Sequence, residues 1–185
     1  MPRTVTLIRH TEVDVPKGTI YGHLDVPLLE EAYPARLSAL LPKMPRGAQY
    51  VASPLSRAAR LAQDLAQSCS GTVRLEACFK ELSFGAWEGA SWSTLDRAAT
   101  EHWTQDIVNR APPRSLEGVV GESLNDLAAR VLPAWRDALA ALDAPLVIVA
   151  HAGPLRVLQL NLEGRPLSDY GKTTWDFGEA KQFVV

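Results

Sequence analysis

Leu146-Val147-Ile148-Val149-Ala150 is the most apolar run in the chain, and it stops abruptly at a histidine, His151. A strand with no polar residue on either side must be covered on both faces, as a central strand of a parallel sheet is. Gly153-Pro154 then opens a helix through about Leu162. The N-terminus repeats the theme. Val5, Leu7 and Ile8 read as a buried strand over residues 4 to 9, which gives way at Arg9-His10 to polar and Pro/Gly sequence through Gly18.

Tyr50-Val51-Ala52 is another short apolar run, followed by Ser53-Pro54, which reads as a helix start with Ser53 as N-cap and Pro54 at the first helical position. Leu55, Ala58, Ala59, Ala62, Leu65 and Ala66 then recur at threes and fours, and Gly71 ends the element before a possible strand at Thr72 to Leu75. Ser123 with Asp126 resembles a capping box, and Leu124, Leu127, Ala128, Val131, Trp135, Ala138 and Leu142 make one apolar stripe along a helix that Pro133 should kink. Strands alternating with helices predict an α/β sandwich with a largely parallel sheet, formed by residues 1–185 as a single domain. Residues 87 to 121 are the least periodic and read as an irregular insertion with a short helix near 91 to 103.

Lys and Arg total 19 against 21 Asp and Glu, so no global field favours a polyanion, and nucleic acid and membrane surfaces are poor partners. No apolar run approaches the length of a membrane span, and the N-terminus is too short in apolar residues for a signal segment. Cys69 and Cys78 fit neither a zinc pattern nor a disulfide framework and read as small hydrophobes in a reducing compartment. The expectation is a cytoplasmic protein.

Two of the four histidines, His10 and His151, each follow a buried-strand pattern, and the carboxyl ends of strands are where open α/β sheets bind ligands. Arg57 lies one turn into the helix after a third strand, and Arg9 ends the first. An arginine at the end of a buried strand needs an anionic partner to offset its desolvation. Two arginines and two histidines at one sheet edge describe an oxyanion or phosphate pocket, to which the helix after His151 adds backbone N–H groups at Ala152.

Several separated blocks resemble the histidine phosphatase superfamily, the phosphoglycerate mutase-like proteins, over nearly the whole chain. Leu7-Ile8-Arg9-His10-Thr11-Glu12 looks like its Arg-His-Gly signature, and Tyr21-Gly22-His23-Leu24-Asp25-Val26-Pro27-Leu28 like its Gly-x-x-Asp-x-Pro-Leu loop. Ser53-Pro54-Leu55-Ser56-Arg57-Ala58 matches its second arginine block, and Gly121-Glu122-Ser123 its recurrent helix start. Glu81-Leu82-Ser83-Phe84-Gly85-Ala86-Trp87-Glu88-Gly89 is similar to the segment carrying its catalytic acid, and Ala150-His151-Ala152-Gly153 to that carrying its second histidine. The resemblance implies a three-layer αβα fold, no cofactor, no metal, and phosphomonoester hydrolysis through a phosphohistidine on a small-molecule phosphate. It assigns His10 as nucleophile, Arg9, Arg57 and His151 as holders of the phosphoryl oxygens, and Glu81 as proton donor, with Glu88 as competitor for that role. Tyr21 and His23 line the substrate side or pack the loop.

Thr11 stands where the family has glycine, and its hydroxyl is expected to donate to a phosphate oxygen. Val13-Asp14-Val15-Pro16-Lys17-Gly18 followed by Tyr21-Gly22 looks like the α-ribazole phosphatase branch, which implies α-ribazole 5′-phosphate, an intermediate of cobalamin biosynthesis, as substrate. The alternatives are a protein phosphohistidine phosphatase, a broad-specificity sugar-phosphate phosphatase and a non-enzymatic phosphoester-binding module. A metal hydrolase using His10-x-Glu12-x-Asp14 requires the first strand to continue past His10. The sequence leaves the oligomeric state open.

Overall fold

The computed structural model describes residues 4–141 and 143–185; Leu142, expected on the long helical stripe, lies outside them. Five strands, β1 (Thr4–Arg9), β2 (Gln49–Ala52), β3 (Thr72–Leu75), β4 (Leu146–Ala150) and β5 (Ala180–Val184), form one sheet in the order β3-β2-β4-β1-β5. The first four are mutually parallel, and β5 runs antiparallel along β1. β4 lies in the middle with every residue buried, because its side chains alternate between two separate cores. Leu146, Ile148 and Ala150 pack with α4 (Leu124–Ala140) and α5 (Ala152–Leu162). Val147 and Val149 pack with α1 (Tyr33–Leu40) and α2 (Ser56–Ser68). The fold is therefore the α/β sandwich that the alternation of elements predicts, in the three-layer αβα form that the family resemblance implies.

The long helix carries the expected capping box: Ser123 Oγ accepts from the Asp126 N–H, and the Asp126 carboxylate accepts from the Ser123 N–H. It continues through Pro133 to Ala140. α2 differs from expectation. It begins at Ser56 with Leu55 as N-cap in extended conformation, and no side chain of its own caps it. Pro54 disfavours helical geometry at Ser53, and the cap comes instead from the preceding loop, where Asp25 Oδ1 accepts 2.8 Å hydrogen bonds from both the N–H and the Oγ of Ser56. At the other end the left-handed residue is Ser70, and Gly71 is needed for space: a Cβ there would press on the Ala48 carbonyl and the Tyr50 ring.

In the irregular insertion the helix is α3 (Arg97–Thr104), shorter than the 91–103 expectation, with a separate 3-10 turn at Trp92–Thr94. An aromatic cluster organises this region. Phe84 meets Trp92 edge-on at 5.6 Å, and Trp92 stacks on Trp103 at 5.9 Å. Among the described residues no helix is long and apolar enough to cross a membrane.

Candidate functional site

The sheet order places the ends of β2, β4 and β1 side by side, so the three residues that follow them converge. His10 N–H bonds to the Ala150 carbonyl at 3.0 Å and Ser53 N–H to that of Val149 at 3.1 Å. The rings of His10 and His151 stand 5.0 Å apart, both fully buried. This is the convergence that two distant histidines after buried strands predict.

His10 is held in a defined tautomer. Its Nδ1 lies 2.7 Å from the Thr11 carbonyl, which can only accept, so Nδ1 carries the proton and Nε2 presents its lone pair. Nε2 is buried with no partner among the described residues. Burial, followed by the nearby Arg57 and Arg9 charges, pulls the pKa of His10 well below the ordinary histidine value. His151 is depressed in the same way by burial, then by His10, Arg57 and Arg9. Its Nε2 sits 2.8 Å from Ser53 Oγ, which also accepts from the Leu55 N–H, while Nδ1 is left without a partner.

Both arginines are fixed by carbonyls. Arg57, fully buried, donates from Nη1 to Leu24 O at 2.7 Å and from Nη2 to Gly22 O at 2.8 Å. Arg9 donates from Nη1 to Trp175 O at 2.6 Å, and its guanidinium lies over the Phe177 ring at 3.8 Å. The Nε of each is buried and unpaired, as is Thr11 Oγ1. Five buried polar atoms without partners thus belong to Arg9, His10, Thr11, Arg57 and His151. Such atoms are rare in native interiors, and five of them, four on cationic or imidazole side chains, gather at this one sheet edge.

Glu81 approaches from the extended segment after the turn at Ala77–Phe79, anchored in the core by Phe79 and Leu82. Its Oε1 accepts from the N–H of Leu82 at 2.9 Å and of Gly153 at 2.8 Å, so a proton on this carboxyl is carried at Oε2. Gly153 is required for this approach, because a Cβ there would overlap Oε1. Glu88, the competitor for the acid role, is instead a clamp: it accepts from the N–H groups of His23, Leu24 and Phe84. Gly22 makes room for it, since a Cβ at that position would run into Glu88 Oε1.

Tyr21 lies under the Arg57 guanidinium at 4.9 Å, and burial pushes its phenol up. His23 is placed differently from a residue lining the phosphate pocket. Its Nε2 is 2.8 Å from the Glu81 carbonyl, so it braces the acid's backbone. The Ala152 N–H opens α5 beside the histidine pair. His10-x-Glu12-x-Asp14 does not assemble a ligand set, because β1 ends at Arg9 and the Glu12 carboxylate is paired with Arg36. Among the described residues no group of three His, Cys, Asp or Glu gathers elsewhere.

Several contributors escaped the sequence reading. Arg130 on α4 donates to the carbonyls of Cys78, Lys80 and Glu81 at 2.7, 2.9 and 2.7 Å and pairs with Glu122, whose Oε2 also accepts the Ser83 N–H. The Gly-Glu-Ser block carried the signal for Glu122; nothing local marked Arg130, Phe177 or Tyr170. Tyr170, half-buried with Arg156 over its ring, is pushed up by desolvation and by the Glu81 charge. A larger cleft of about 610 Å³ at the opposite ends of β1 and β4, between Thr4, Thr6, Pro145 and Gln182, contains none of these groups.

A doubly flanked, mostly parallel sheet brings a buried histidine pair and two carbonyl-held arginines together at its carboxyl edge, groups whose chemistry suits a tetrahedral oxyanion beside an imidazole. The sequence profile of the histidine phosphatase superfamily (branch 1) matches residues 5–181, and the chain belongs to that family. It is similar to the glucosyl-3-phosphoglycerate phosphatase of Mycolicibacterium vanbaalenii, 27% identical over 194 residues, covering 94% of this chain and 82% of that one. It is also similar to a probable phosphoglycerate mutase of Photorhabdus laumondii, 30% identical over 166 residues, covering 88% and 75%. Among solved structures, a native mycobacterial glucosyl-3-phosphoglycerate phosphatase superposes with a TM-score of 0.83 at 26% identity, over 98% of this chain and 90% of that one. These relatives do not single out the α-ribazole branch.

Proposed function

We propose that this chain hydrolyses small-molecule phosphate monoesters through a phosphohistidine on His10. The observation that carries the reading is the locked imidazole, with Nδ1 tied to the Thr11 carbonyl and Nε2 unpartnered between two arginines. Nε2 attacks phosphorus, an N–P bond forms, and the P–O bond to the leaving group breaks as Glu81 delivers its proton to the departing oxygen. Water then attacks phosphorus and gives a proton to Glu81, the N–P bond breaks with its electron pair returning to His10 Nε2, and orthophosphate leaves.

Arg9, Arg57, Thr11 and the Ala152 N–H bind the non-bridging oxygens and stabilise the charge that spreads over them. When Ser53 donates to Nε2 of His151, the proton of the neutral ring resides on Nδ1, which makes His151 a further donor. The stabilising groups are preset, so no reorganisation is needed at the moment of reaction. Tyr21 and Gly22 wall the substrate side, and His23 acts through Glu81. No step requires a metal ion.

Within that class, α-ribazole 5′-phosphate is the substrate we propose first, on the likeness of residues 13–22 to that branch. Glucosyl-3-phosphoglycerate is the comparison substrate suggested by the relatives. Steady-state rates on a panel of phosphate esters containing both, with His10→Ala as control, test the reading in the presence of a strong chelator. Acid-labile labelled phosphate should be trapped on wild type and absent from His10→Ala. A variant that kept wild-type turnover would overturn the assignment.

A further inference from the structure

A cleft of about 170 Å³ opens beside Glu81, lined by Thr19, Ile20, Tyr21, Gly22, Phe84 and Trp92. If Glu81 is the proton donor, the group it protonates departs here, so the cleft is where the organic part of the ester sits. Its volume falls below the roughly 300–1,000 Å³ of pockets that enclose drug-sized ligands. The cleft is open to solvent, so it holds one ring beside Glu81 and lets the rest of a longer leaving group extend outward.

Two properties of the lining restrict what that group is. The first is aromatic surface. Trp92 remains 42% exposed although it is fixed by Trp103 stacked at 5.9 Å and Phe84 edge-on at 5.6 Å. A rigid indole presented to solvent at the mouth of a cleft is a stacking platform, since its ordering cost has already been met by its neighbours. Opposite in sequence, Ile20 and Tyr21 contribute the rest of the apolar wall.

The second is charge. Among the lining residues the one carboxylate is Glu81 and there is no cation. The Glu88 carboxylate stands directly behind Gly22 and Phe84. The two cations nearest the Tyr21 wall, Arg57 and Arg9, are taken by the phosphoryl group in the proposed reaction, and Arg156 lies over the Tyr170 ring. A carboxylate on the leaving group would enter this cleft with no free cation to pair it and beside a phosphoryl group that already carries negative charge, which is how a site rejects a ligand.

We propose that this cleft selects an uncharged, flat, ring-sized leaving group and discriminates against one bearing a carboxylate, as the glycerate phosphates do. This rests on the phosphatase reading for the position of the leaving group. The test compares kcat/KM for benzyl phosphate, methyl phosphate and 3-phosphoglycerate, alongside calorimetric binding of benzylphosphonate, methylphosphonate and 3-phosphonopropionate. Wild type is expected to favour the benzyl compound at least tenfold over the carboxylate in both measurements. Trp92→Ala should lower the benzyl-to-methyl ratio about tenfold, and Thr19→Lys, which adds a cation to the rim, should shift preference towards the carboxylates. Equal or better handling of the carboxylates by wild type, or an unmoved preference in Thr19→Lys, overturns the proposal. Selective phosphonate binding without turnover of any ester would instead overturn the phosphatase reading and, with it, the leaving-group role, while the selectivity of the cleft for an uncharged ring would stand.

Discussion

Gly153→Ala isolates the acid without touching it. Gly153 is the second residue of α5, and no left-handed conformation requires glycine there. What requires it is Glu81: a Cβ built on Gly153 falls closer than 3.0 Å to Oε1, and only 3.4 Å from Glu81 Cδ and Leu127 Cδ2. The helix backbone is fixed by the packing of Leu155, Val157 and Leu158, and Leu127 is fully buried, so the carboxyl is the part that yields. Restoring ordinary contact moves it by about 1 Å, a misplacement that costs about a hundredfold in rate. It also weakens the Gly153 N–H bond, an interaction with a charged acceptor worth roughly 1.5–3 kcal/mol. Alanine's helix preference over glycine offsets up to about 1 kcal/mol of that loss, so the variant should remain folded.

The assay is kcat for an alkyl phosphate and for p-nitrophenyl phosphate, whose leaving group needs little protonation. The alkyl ester should slow by about a hundredfold and p-nitrophenyl phosphate by less than tenfold. Adding Glu81→Gln to Gly153→Ala should cost little more than Glu81→Gln alone, because both act through one carboxyl. Wild-type turnover of the alkyl ester by Gly153→Ala, or equal losses on both substrates, would refute the placement of the acid.

Arg130→Gln releases three carbonyls of the segment that carries Glu81, and is expected to slow alkyl esters about tenfold more than p-nitrophenyl phosphate, with Arg130→Lys recovering part of the difference; equal slowing of both esters points to a purely structural role. His10 and His151 are held neutral by burial, with pKa values well below the unfolded value of 6.5. As pH falls below that value the unfolded chain binds the extra protons first, so stability is lost on acidification, by up to about 1.4 kcal/mol per pH unit for each histidine. Urea denaturation at pH 7 and pH 5.5 reads this, and equal midpoints contradict it. Thr11→Val, which keeps the shape and removes the hydroxyl, should lower kcat/KM about tenfold, whereas a rate gain in Thr11→Gly would mean that the side chain crowds the phosphate.

What could be read in the residues depended on whether the determinant was local. β4 is surrounded on both faces and apolar throughout, and β1 buries Val5, Leu7 and Ile8, so both read as strands that give way at the histidines; position and chemistry coincide. β5 is an edge strand with Lys181 and Gln182 in it and only partial burial, so it has no such run, and only its pairing with β1 orders it. α1 buries just Tyr33 and Leu40 and has no side-chain cap. The start of α2 was misplaced because its cap, Asp25, is more than thirty positions away in sequence from a helix whose nearest serine is occupied by His151. The same distinction divides the site. Arg9, His10, Arg57 and His151 are marked by what ends beside them, whereas Arg130 and Phe177 act across long separations and look like any arginine in a helix or phenylalanine in a loop.

The way the arginines are held explains why the pocket waits for an anion. An arginine buried beside a carboxylate is neutralised, and a phosphate would have to displace that partner. Here the bonds to Arg57 and Arg9 come from the carbonyls of Leu24, Gly22 and Trp175, which fix the guanidinium planes while leaving their charge in place. Desolvating a fully buried cation such as Arg57 costs several kcal/mol when no counterion is paired with it, and the half-buried Arg9 adds to that cost. The same charges depress both histidines, so the nucleophile is neutral for the reason that the pocket is cationic. In the proposed reaction a phosphoryl dianion at this edge would relieve the repulsion and meet the His10 lone pair. The carboxylates lie in the loops just outside, where Asp25 caps α2, Glu88 holds three N–H groups and Glu122 holds Arg130. Glu81 alone is drawn towards the cationic edge, with one oxygen bound by two backbone donors and the other open to carry a proton.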